Sequence, residues 1–241
     1  MKRSQPVRRV RVLGAAVDTV DMDRAVRICA GALNRNRVFV VVTPGLEMAL
    51  RARRDPGLRE DIARADLSVC DGAGLKMLNR RLYRVPGIDL LERLLPVFDS
   101  QKSCIYLIGG APGIAEMAAK KITSVYQGIR VAGCSDGYGQ LEGAREKLFA
   151  SSASVAVICL GSPLQERYAT ALKEQSPAGR PVLALCLGGA LDVLSGAKKR
   201  APYLFRKTGT EWLWRFASEP HRIIRFIRVA TGPGRGGEFR R

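Results

Sequence analysis

The sequence predicts an α/β fold with a mostly parallel sheet that is covered by helices on both faces. Apolar runs of strand length alternate with longer amphipathic stretches, and each short run is apolar throughout rather than alternately apolar and polar. Continuous apolar strands are typical of parallel sheets whose two faces are both buried. The chain has 241 residues, which is enough for one large α/β domain with an appendage.

The order of the predicted elements supports this fold. Strands are predicted at 10–17, 38–43, 67–70, 104–108, 129–134, 155–160 and 182–187. Helices are predicted at 22–33, 46–53, 58–63, 75–81, 88–98, 114–126, 143–150, 164–175 and 190–194. The regular alternation indicates βα units rather than hairpins, because a helix must carry the chain back before the next parallel strand can begin.

Glycine and proline follow five of the predicted strands, at 43–45, 71–72, 109–113, 161–163 and 188–189. In open parallel sheets the ligand binds beyond the carboxyl ends of the strands. Glycine there lets a ligand approach the backbone closely, and helix N-termini offer N–H groups to phosphate. The turns therefore indicate a nucleotide or phosphate site, although tight βα connections alone would explain them equally well.

The charge is unevenly distributed along the chain. The net charge is +18, and residues 198–241 hold 12 Lys/Arg but only 3 Asp/Glu. Within this region, apolar residues at helical spacing include both tryptophans, and Pro220 is expected to divide the run into two helices. We expect a core domain at 1–200, a basic amphipathic appendage at 201–230 and a disordered tail at 231–241. Such a surface suits a phosphate-bearing substrate, a nucleic acid or an anionic lipid.

The composition also sets limits on location and chemistry. No apolar run approaches the roughly 20 residues that span a bilayer, and no apolar segment follows the basic N-terminus. We therefore expect a cytoplasmic protein. We expect the basic C-terminal segment with its tryptophans to hold the protein peripherally at the inner face of the plasma membrane. The six cysteines form no CxxC pair and are expected to be reduced core thiols. With His221 as the single histidine, a His-rich metal site is excluded.

Carboxylates are the candidate catalytic groups, since histidine is nearly absent. Asp71 follows an apolar strand and precedes Gly72, where it could act as a general base toward a hydroxyl or as the N-cap of the next helix. The DxD pattern of Asp21 and Asp23 is interpreted as helix capping rather than a metal site. Gln165 could bind a sugar or phosphate oxygen, and Glu166 suits the first turn of a helix.

Taken in order, the motifs resemble the WecG/TagA/CpsF family of bacterial glycosyltransferases from about residue 10 to residue 228. The motifs are TPGLEMA (43–49), DGAGL (71–75), RVPGIDLL (84–91), YLIGGAPG (106–113), DGY (136–138), GSPLQE (161–166), LGGALDVLSG (187–196), RAP (200–202) and GTEWLWRF (209–216). The resemblance implies a Rossmann-like α/β fold with a helical C-terminal appendage. It also implies inverting transfer from a UDP-sugar to a polyprenyl-diphosphate-linked saccharide in surface polysaccharide synthesis, with no metal or other cofactor.

The family's functional residues map onto this chain by motif. The resemblance implies that Asp71 is the general base, that Thr43 helps to hold substrate, and that Arg84 and Gln165 bind diphosphate or sugar. The other implied substrate-binding residues are Gly109, Gly110, Asp136, Tyr138, Gly188, Gly189, Asp192 and Arg200. The implied contacts to the acceptor and the membrane are Trp212, Arg215, Arg222 and Arg225.

Three departures from the family pattern concern this site. Gly45 stands where the family usually has Asn, which removes a polar side chain from the expected pocket. The stretch between Asp71 and Arg84 is a few residues shorter than usual, and Pro86 stiffens the turn that follows. The sequence leaves open the donor sugar (N-acetylmannosamine, its uronic acid or glucose), the acceptor glycan and a homo-oligomeric state.

Two other classes of protein are compatible with parts of the sequence. The net charge and the basic C-terminal region would suit a nucleic-acid-binding protein, but they do not explain the glycine turns or Asp71. A Rossmann-type oxidoreductase would explain the turns, although 109–113 does not match GxGxxG. Binding of UDP-sugar, oligonucleotide or nicotinamide cofactor would discriminate among the three. We expect UDP-sugar as donor and no nucleic-acid partner.

Overall fold

A computed structural model describes residues 7–137, 141–218 and 221–231. It opens with a two-stranded antiparallel hairpin, β1 (Arg9–Val12) and β2 (Ala15–Asp18). The prediction of one strand at 10–17 was therefore wrong. The backbone reverses at Leu13, which has a φ of 54°, and Gly14 packs so tightly on the second helix that a Cβ there would lie 2.1 Å from Arg53 N. An apolar turn residue hid the reversal from the hydrophobic pattern.

The remaining strands form one six-stranded sheet in which every pairing is parallel. The strand order is β4-β3-β8-β7-β5-β6. The bounds are β3 (Val38–Val42), β4 (Leu67–Ser68), β5 (Cys104–Gly109), β6 (Arg130–Ser135), β7 (Val155–Cys159) and β8 (Val182–Cys186). The predicted parallel sheet is confirmed. Strand β4 is shorter than the predicted strand at 67–70. Beyond its end, an isolated parallel bridge joins Cys70 to Arg84.

Among the described residues before Pro202, nine helices follow or connect these strands. They are α1 (Met22–Ala32), α2 (Leu46–Arg54), α3 (Pro56–Arg64), α4 (Ala73–Leu78), α5 (Gly87–Ser100), α6 (Ile114–Val125), α7 (Leu141–Ala150), α8 (Leu164–Glu174) and α9 (Ala190–Ser195). The capping interpretation of the DxD pattern is confirmed at its first residue, because Asp21 is the N-cap of α1 and accepts a hydrogen bond from Arg24 N–H at 2.8 Å. Asp23 lies in the first turn of α1 and forms an exposed ion pair with Arg93 at 2.7 Å.

The sheet separates two hydrophobic cores, as alternation along buried strands requires. On one face α1, α5, α6 and α9 pack on side chains such as Val41, Leu107 and Val157. On the other face α2, α3, α4, α7 and α8 pack on the intervening side chains, such as Val40 and Ile108. Five of the six cysteines are buried, Cys134 is half-buried, and all six are free, which agrees with the predicted core thiols.

In the described residues after Pro202 there are three helices rather than the two expected: α10 (Tyr203–Thr208), α11 (Glu211–Ser218) and α12 (His221–Thr231). Gly209, with a φ of 76°, ends α10, and the sequence prediction did not include this helix end. Phe205 stacks on Trp214 with 5.8 Å between ring centroids, which joins α10 to α11. The division at residue 200 stays a prediction, and the predicted tail at 231–241 lies outside the described residues except for its first residue.

Candidate active site

The carboxyl ends of all six parallel strands meet at one edge of the sheet, as expected from the glycine turns. At this edge β3 leads to Thr43, β4 to Asp71, β5 to Gly110, β6 to Asp136 and β8 to Gly188. Five of the turn glycines here have positive φ, a conformation that L side chains rarely adopt: Gly109, Gly110, Gly113, Gly161 and Gly188. The predicted glycine-rich edge at the carboxyl ends of the strands, called the rim below, is therefore present. Candidate residues that follow five different strands lie along it.

Asp71 is held at this edge by a helix that the sequence did not associate with it. Its Oδ1 accepts a hydrogen bond of 2.7 Å from Gly87 N–H, in the first turn of α5. The N-cap of α4 is Gly72, which makes no side-chain cap, so the interpretation of Asp71 as the cap of the next helix was wrong. The α5 N-terminus favours the ionised form of a carboxylate placed there. This contact fixes one oxygen and the orientation of the carboxyl plane.

Thr43 and Gly45 border the Asp71 carboxylate. The Thr43 hydroxyl is buried and donates to the Cys186 carbonyl at 3.0 Å, which ties β3 to β8 at the rim. A Cβ at Gly87 would lie 3.3 Å from Thr43 Oγ1, so Thr43 adjoins the same α5 N-terminus as Asp71. Among the described residues, a Cβ at Gly45 would meet a single atom within 4 Å, Asp71 Oδ2 at 3.9 Å. Gly45 thus leaves room beside the second carboxylate oxygen.

The turn after β5 is tightly packed against its neighbours. A Cβ at Gly109 would lie 2.2 Å from the Cys159 carbonyl oxygen, and one at Gly110 would lie 2.7 Å from the Ile114 side chain. Gly110 N–H donates to the Cys159 carbonyl, and Gly137 N–H donates to the Gly110 carbonyl at 3.0 Å. The glycines are therefore required by the fold itself. Asp136 is half-buried next to this turn, and Tyr138 lies outside the described residues.

Gln165 acts on the turn after β8. It is 2% exposed, and its side-chain oxygen accepts a hydrogen bond of 3.0 Å from Gly188 N–H. Its amide nitrogen donates to Glu166 at 2.7 Å. Glu166 lies in the first turn of α8, as expected, and its side chain is buried there. Burial raises the pKa of the Glu166 carboxyl, and the hydrogen bond from Gln165 opposes that effect. Glu166 thus holds the Gln165 side chain, and Gln165 in turn orients the Gly188 backbone.

Gly189 and Asp192 lie at the start of α9. Gly189 is the N-cap, and a Cβ there would lie 3.4 Å from Asp192 Oδ2. The Asp192 carbonyl accepts hydrogen bonds from Ser195 Oγ at 3.0 Å and from Lys198 N–H at 2.9 Å. Asp192 therefore helps to end α9 through its backbone while its half-buried side chain faces the Gly189 turn.

The two arginines predicted to bind substrate contact different helices. Arg84 Nη2 donates to the Arg206 carbonyl at the end of α10, and so links the segment after α4 to the C-terminal helices. Arg200 forms ion pairs with Asp89 and Glu92 on α5. Burial raises the pKa of Glu92, and the nearby Arg206 charge opposes this. Arg200 thus contacts α5, the helix whose N-terminus holds Asp71, whereas Arg84 contacts α10.

Comparison with known proteins places this site in a family. The model for the glycosyl transferase WecG/TagA/CpsF family matches residues 10–233. The chain belongs to this family. A relative from Bacillus spizizenii strain W23 is 30% identical over 204 residues, which cover 82% of this chain and 78% of the relative. The relative is named N-acetylglucosaminyldiphosphoundecaprenol N-acetyl-beta-D-mannosaminyltransferase. Family membership makes the protein a glycosyltransferase and decides against the oxidoreductase alternative.

In this glycosyltransferase the C-terminal helices contact the core but leave apolar side chains exposed. Arg54 Nη1 on α2 donates to the Val229 carbonyl of α12 at 2.7 Å. Trp212 and Leu213 of α11 are exposed, as are three isoleucines of α12: Ile223, Ile224 and Ile227. The helices carry Arg215, Arg222 and Arg225, whose side chains lie outside the described part of the structure. The basic amphipathic character of the appendage stays a prediction.

Within residues 7–137, 141–218 and 221–231, no group of three or more His, Cys, Asp or Glu side chains is arranged to hold a metal ion. Over the same ranges, no helix has the length and apolar character needed to cross a membrane.

Sequence reasoning missed two groups that shape the site of this enzyme. Gly87 provides the N–H that holds Asp71, and Leu187 lies 3.3 Å from the position of a Gly87 Cβ. Pro86 immediately before an apolar helix was an available signal for a helix N-terminus, because proline is favoured at such positions. No local pattern could have paired that terminus with Asp71, 16 residues earlier.

Proposed function

We propose that this glycosyltransferase moves a sugar from a UDP-sugar to a polyprenyl-diphosphate-linked saccharide, with inversion at the anomeric carbon. The observation that carries the proposal is the Asp71 carboxylate at the sheet edge, with Oδ1 held by Gly87 N–H and Oδ2 next to the space at Gly45. A fixed carboxylate beside an open volume is the arrangement that a general base for a hydroxyl nucleophile requires.

The proposed reaction needs one base and stabilisation of one leaving group. The acceptor hydroxyl oxygen forms a bond to the anomeric carbon, and Asp71 takes the hydroxyl proton. The bond between the anomeric carbon and the diphosphate oxygen breaks, and its electron pair leaves with UDP. Thr43, buried against the α5 N-terminus, would position the reacting sugar. Because Asp71 attacks nothing itself, a single displacement inverts the anomeric configuration.

Backbone and fixed cations would stabilise the departing diphosphate. The glycine turns at Gly109–Gly110 and Gly188–Gly189 present backbone close to any ligand at the rim, and helix N-termini favour phosphate. We propose that these turns, with Asp136, Tyr138 and Asp192, form the uridine nucleotide site, and that Gln165 contributes by orienting Gly188. Arg84 would supply positive charge to the diphosphate, and Arg200, which is paired with Asp89 and Glu92 on α5, would border the substrate.

The acceptor and the donor sugar are proposed by likeness to the relative. Its printed name identifies an N-acetylglucosaminyl diphosphoundecaprenol acceptor and N-acetylmannosamine as the transferred sugar. We propose the same acceptor class here, and a donor that carries N-acetylmannosamine, its uronic acid or glucose. Gly45, in the position beside Asp71, is the reason to keep the donor set wider than that of the relative.

A lipid-linked acceptor requires the enzyme to work at a bilayer surface. We propose that the enzyme binds peripherally to the inner face of the plasma membrane through α10, α11 and α12. The exposed apolar side chains of these helices and their arginines support this, since interfacial helices combine an apolar face with cations. Trp212, exposed on α11, suits the headgroup region.

The test is a transfer assay with the full-length protein, a detergent-solubilised polyprenyl-diphosphate N-acetylglucosamine acceptor and a panel of UDP-sugars. We expect one UDP-sugar to yield both free UDP and a lipid product heavier by one sugar, with the anomeric configuration opposite to that of the donor by NMR. The matched control omits the acceptor, which should reduce UDP release to slow hydrolysis. If no UDP-sugar yields a lipid-linked product, the proposal is wrong.

A further inference from the structure

The segment that follows Asp71 carries exposed apolar side chains that do not belong to the C-terminal helices. Met77, Leu78 and Tyr83 are all more than half exposed, and Met77 reaches 80%. Large apolar side chains rarely cluster on the surface of a soluble protein unless they contact a partner. We name this surface the α4 patch, and it consists of Lys76, Met77, Leu78, Arg80, Arg81 and Tyr83.

The α4 patch is also strongly cationic. Residues 72–88 contain four cationic side chains and no Asp or Glu. Lys76, Arg80 and Arg81 are exposed among the apolar residues. Exposed cations beside Met, Leu and Tyr suit an anionic lipid surface, where the cations meet headgroups and the apolar side chains enter the region below them. A nucleic acid would use the cations but would leave Met77 and Leu78 in water.

The patch stands on an ordered part of the core. Leu75, which precedes the patch, and Leu82, which lies within its sequence, are both buried in the hydrophobic core that α4 covers. The turn between them is closed by hydrogen bonds from Leu82 N–H to the Asn79 carbonyl at 3.0 Å and from Arg81 N–H to Asn79 Oδ1 at 3.0 Å. The exposed side chains are therefore held outward by a folded segment.

The α4 patch adjoins the C-terminal helices. A Cβ at Gly209, just after α10, would lie 3.3 Å from the Ala73 Cβ at the start of α4. At the other end of the patch, Arg84 donates to the Arg206 carbonyl of α10. The exposed side chains of Tyr203 and Leu204 lie within one turn of Arg206 on the same short helix. The α4 patch thus lies next to α10, which carries further exposed apolar side chains.

We propose that the α4 patch is a second membrane-contacting surface, formed by the core domain itself, that docks on a bilayer containing anionic phospholipid. This inference rests on the proposed transfer to a lipid-linked acceptor. It explains how the acceptor reaches the base: α4 begins two residues after Asp71, and its six residues span only about 9 Å at 1.5 Å per residue. Docking the patch sets Asp71 near headgroup level, where a polyprenyl diphosphate leaves the bilayer.

The first experiment measures binding of the full-length chain to vesicles by co-sedimentation. The wild type is compared with Met77→Ser/Leu78→Ser and with Arg80→Ser/Arg81→Ser, on phosphatidylglycerol–phosphatidylcholine vesicles and on pure phosphatidylcholine vesicles. We expect the apolar pair to lower the partition coefficient roughly tenfold. We expect the arginine pair to lower it by about fivefold per cation on the anionic vesicles alone.

The matched control is Met117→Ser/Val125→Ser on α6. Both side chains are exposed apolar residues, but α6 packs on the opposite face of the sheet. This variant should bind vesicles like the wild type. Circular dichroism and thermal unfolding of every variant verify that the fold is intact.

A second measurement uses the wild type and needs no substitution. Hydrogen–deuterium exchange of backbone amides in 76–83 should slow when anionic vesicles are added, and exchange in α6 should not change. Unchanged exchange in 76–83, together with wild-type partitioning of both patch variants, would overturn the inference. Protection that appears without vesicles and grows with protein concentration would also overturn it, since a second copy of the chain would then cover the patch.

The result is separable from that of the proposed function. Transfer to the detergent-solubilised acceptor tests the reaction without a bilayer, and both patch variants should keep wild-type turnover there. With acceptor embedded in anionic vesicles, both should lose turnover in proportion to lost binding. If the patch variants keep wild-type turnover in detergent and also bind vesicles like the wild type, the α4 patch proposal is wrong and the proposed reaction is unaffected. If the wild type shows no turnover in detergent, the proposed reaction is wrong, whether or not the protein binds vesicles.

Discussion

The Asp71 carboxylate accepts a hydrogen bond of 2.7 Å from the Gly87 backbone N–H, which joins the end of β4 to the first turn of α5. The end of β4 and the start of α5 are thereby fixed around one carboxylate, although the two residues are 16 positions apart in the chain. The contact serves structure and chemistry together, since the helix N-terminus favours the anion and the bond orients the second oxygen toward Gly45. A variant that preserves the shape but removes the charge separates these two roles.

Asp71→Asn is the first prediction. The amide keeps an oxygen that can accept from Gly87 N–H, but it does not take a proton from a hydroxyl. We expect the turnover number to fall by about 10²- to 10⁴-fold, whereas UDP-sugar binding and thermal stability stay close to wild type. The measurements are UDP release, isothermal titration with UDP-sugar and thermal unfolding. Asp23→Asn, an exposed carboxylate on α1, is the control, and near-normal turnover in Asp71→Asn would contradict the base assignment.

Gly45→Asn is the second prediction, and it tests the space next to Asp71. Gly45 has φ −100° and ψ −179°, an extended conformation open to any residue, so the backbone does not require glycine. It is the N-cap of α2 without a side-chain cap, and Asn there should keep or slightly raise stability, by a few tenths of a kcal/mol. The added amide would crowd the open side of the carboxylate, so we expect kcat/KM for the preferred UDP-sugar to change roughly tenfold or more.

The measurement for Gly45→Asn is the pair of KM and kcat values across the UDP-sugar panel, set beside urea unfolding. Gly72→Ala is a useful control, because a Cβ at Gly72 would meet nothing within 4 Å and its backbone is likewise extended. A shift in sugar preference with unchanged stability would assign Gly45 to substrate selection. Equal kinetic constants for every donor in Gly45→Asn would remove that role.

Arg84→Ala is the third prediction. Arg84 contacts the Arg206 carbonyl in this structure and is proposed to bind diphosphate, so its removal has two expected effects. Transfer should fall roughly 10²-fold, because a fixed cation is lost from the leaving group. Amide exchange in α10 should also become faster without substrate, because the end of the helix loses a donor. Arg93→Ala, on the exposed face of α5, should change neither quantity, and slow exchange in α10 of Arg84→Ala would mean that Arg84 does not secure that helix.

Sequence reasoning predicted the parallel sheet and its rim well, because both depend on local patterns. Continuous apolar strands and glycine turns are visible residue by residue, and Asp21 was correctly interpreted as a cap for the same reason. Local patterns were not sufficient where a contact with another part of the chain determines the structure. Glu166 lies in the first turn of α8, as its local pattern indicates, but that pattern does not show that the side chain is buried next to Gln165. Leu13 has the apolar character of a strand, yet the packing of Gly14 on α2 turns the chain there.

Asp66→Asn is the last prediction, and it concerns stability and pH. Asp66 accepts hydrogen bonds from Val40 N–H at 2.9 Å, Arg37 at 2.7 Å and Lys173 at 3.0 Å, which join β3 to α8. Burial raises the pKa of Asp66, but these hydrogen bonds outweigh it, and the net pKa is below the ordinary value. A carboxyl whose pKa is lower in the folded state stabilises the fold above its unfolded pKa of about 3.9, and this contribution is lost as the pH falls through the folded value.

We therefore expect Asp66→Asn to lower the free energy of unfolding at neutral pH by about 1–3 kcal/mol. The difference from wild type should shrink below about pH 4, because the wild-type carboxyl then becomes protonated and loses its charge as well. Urea unfolding at several pH values measures both quantities. Glu174→Gln removes an exposed partner of Arg64 on the same side of the molecule and should cost less than about 1 kcal/mol at any pH. A pH-independent loss in Asp66→Asn would show that packing, rather than the ionised carboxylate, accounts for its contribution.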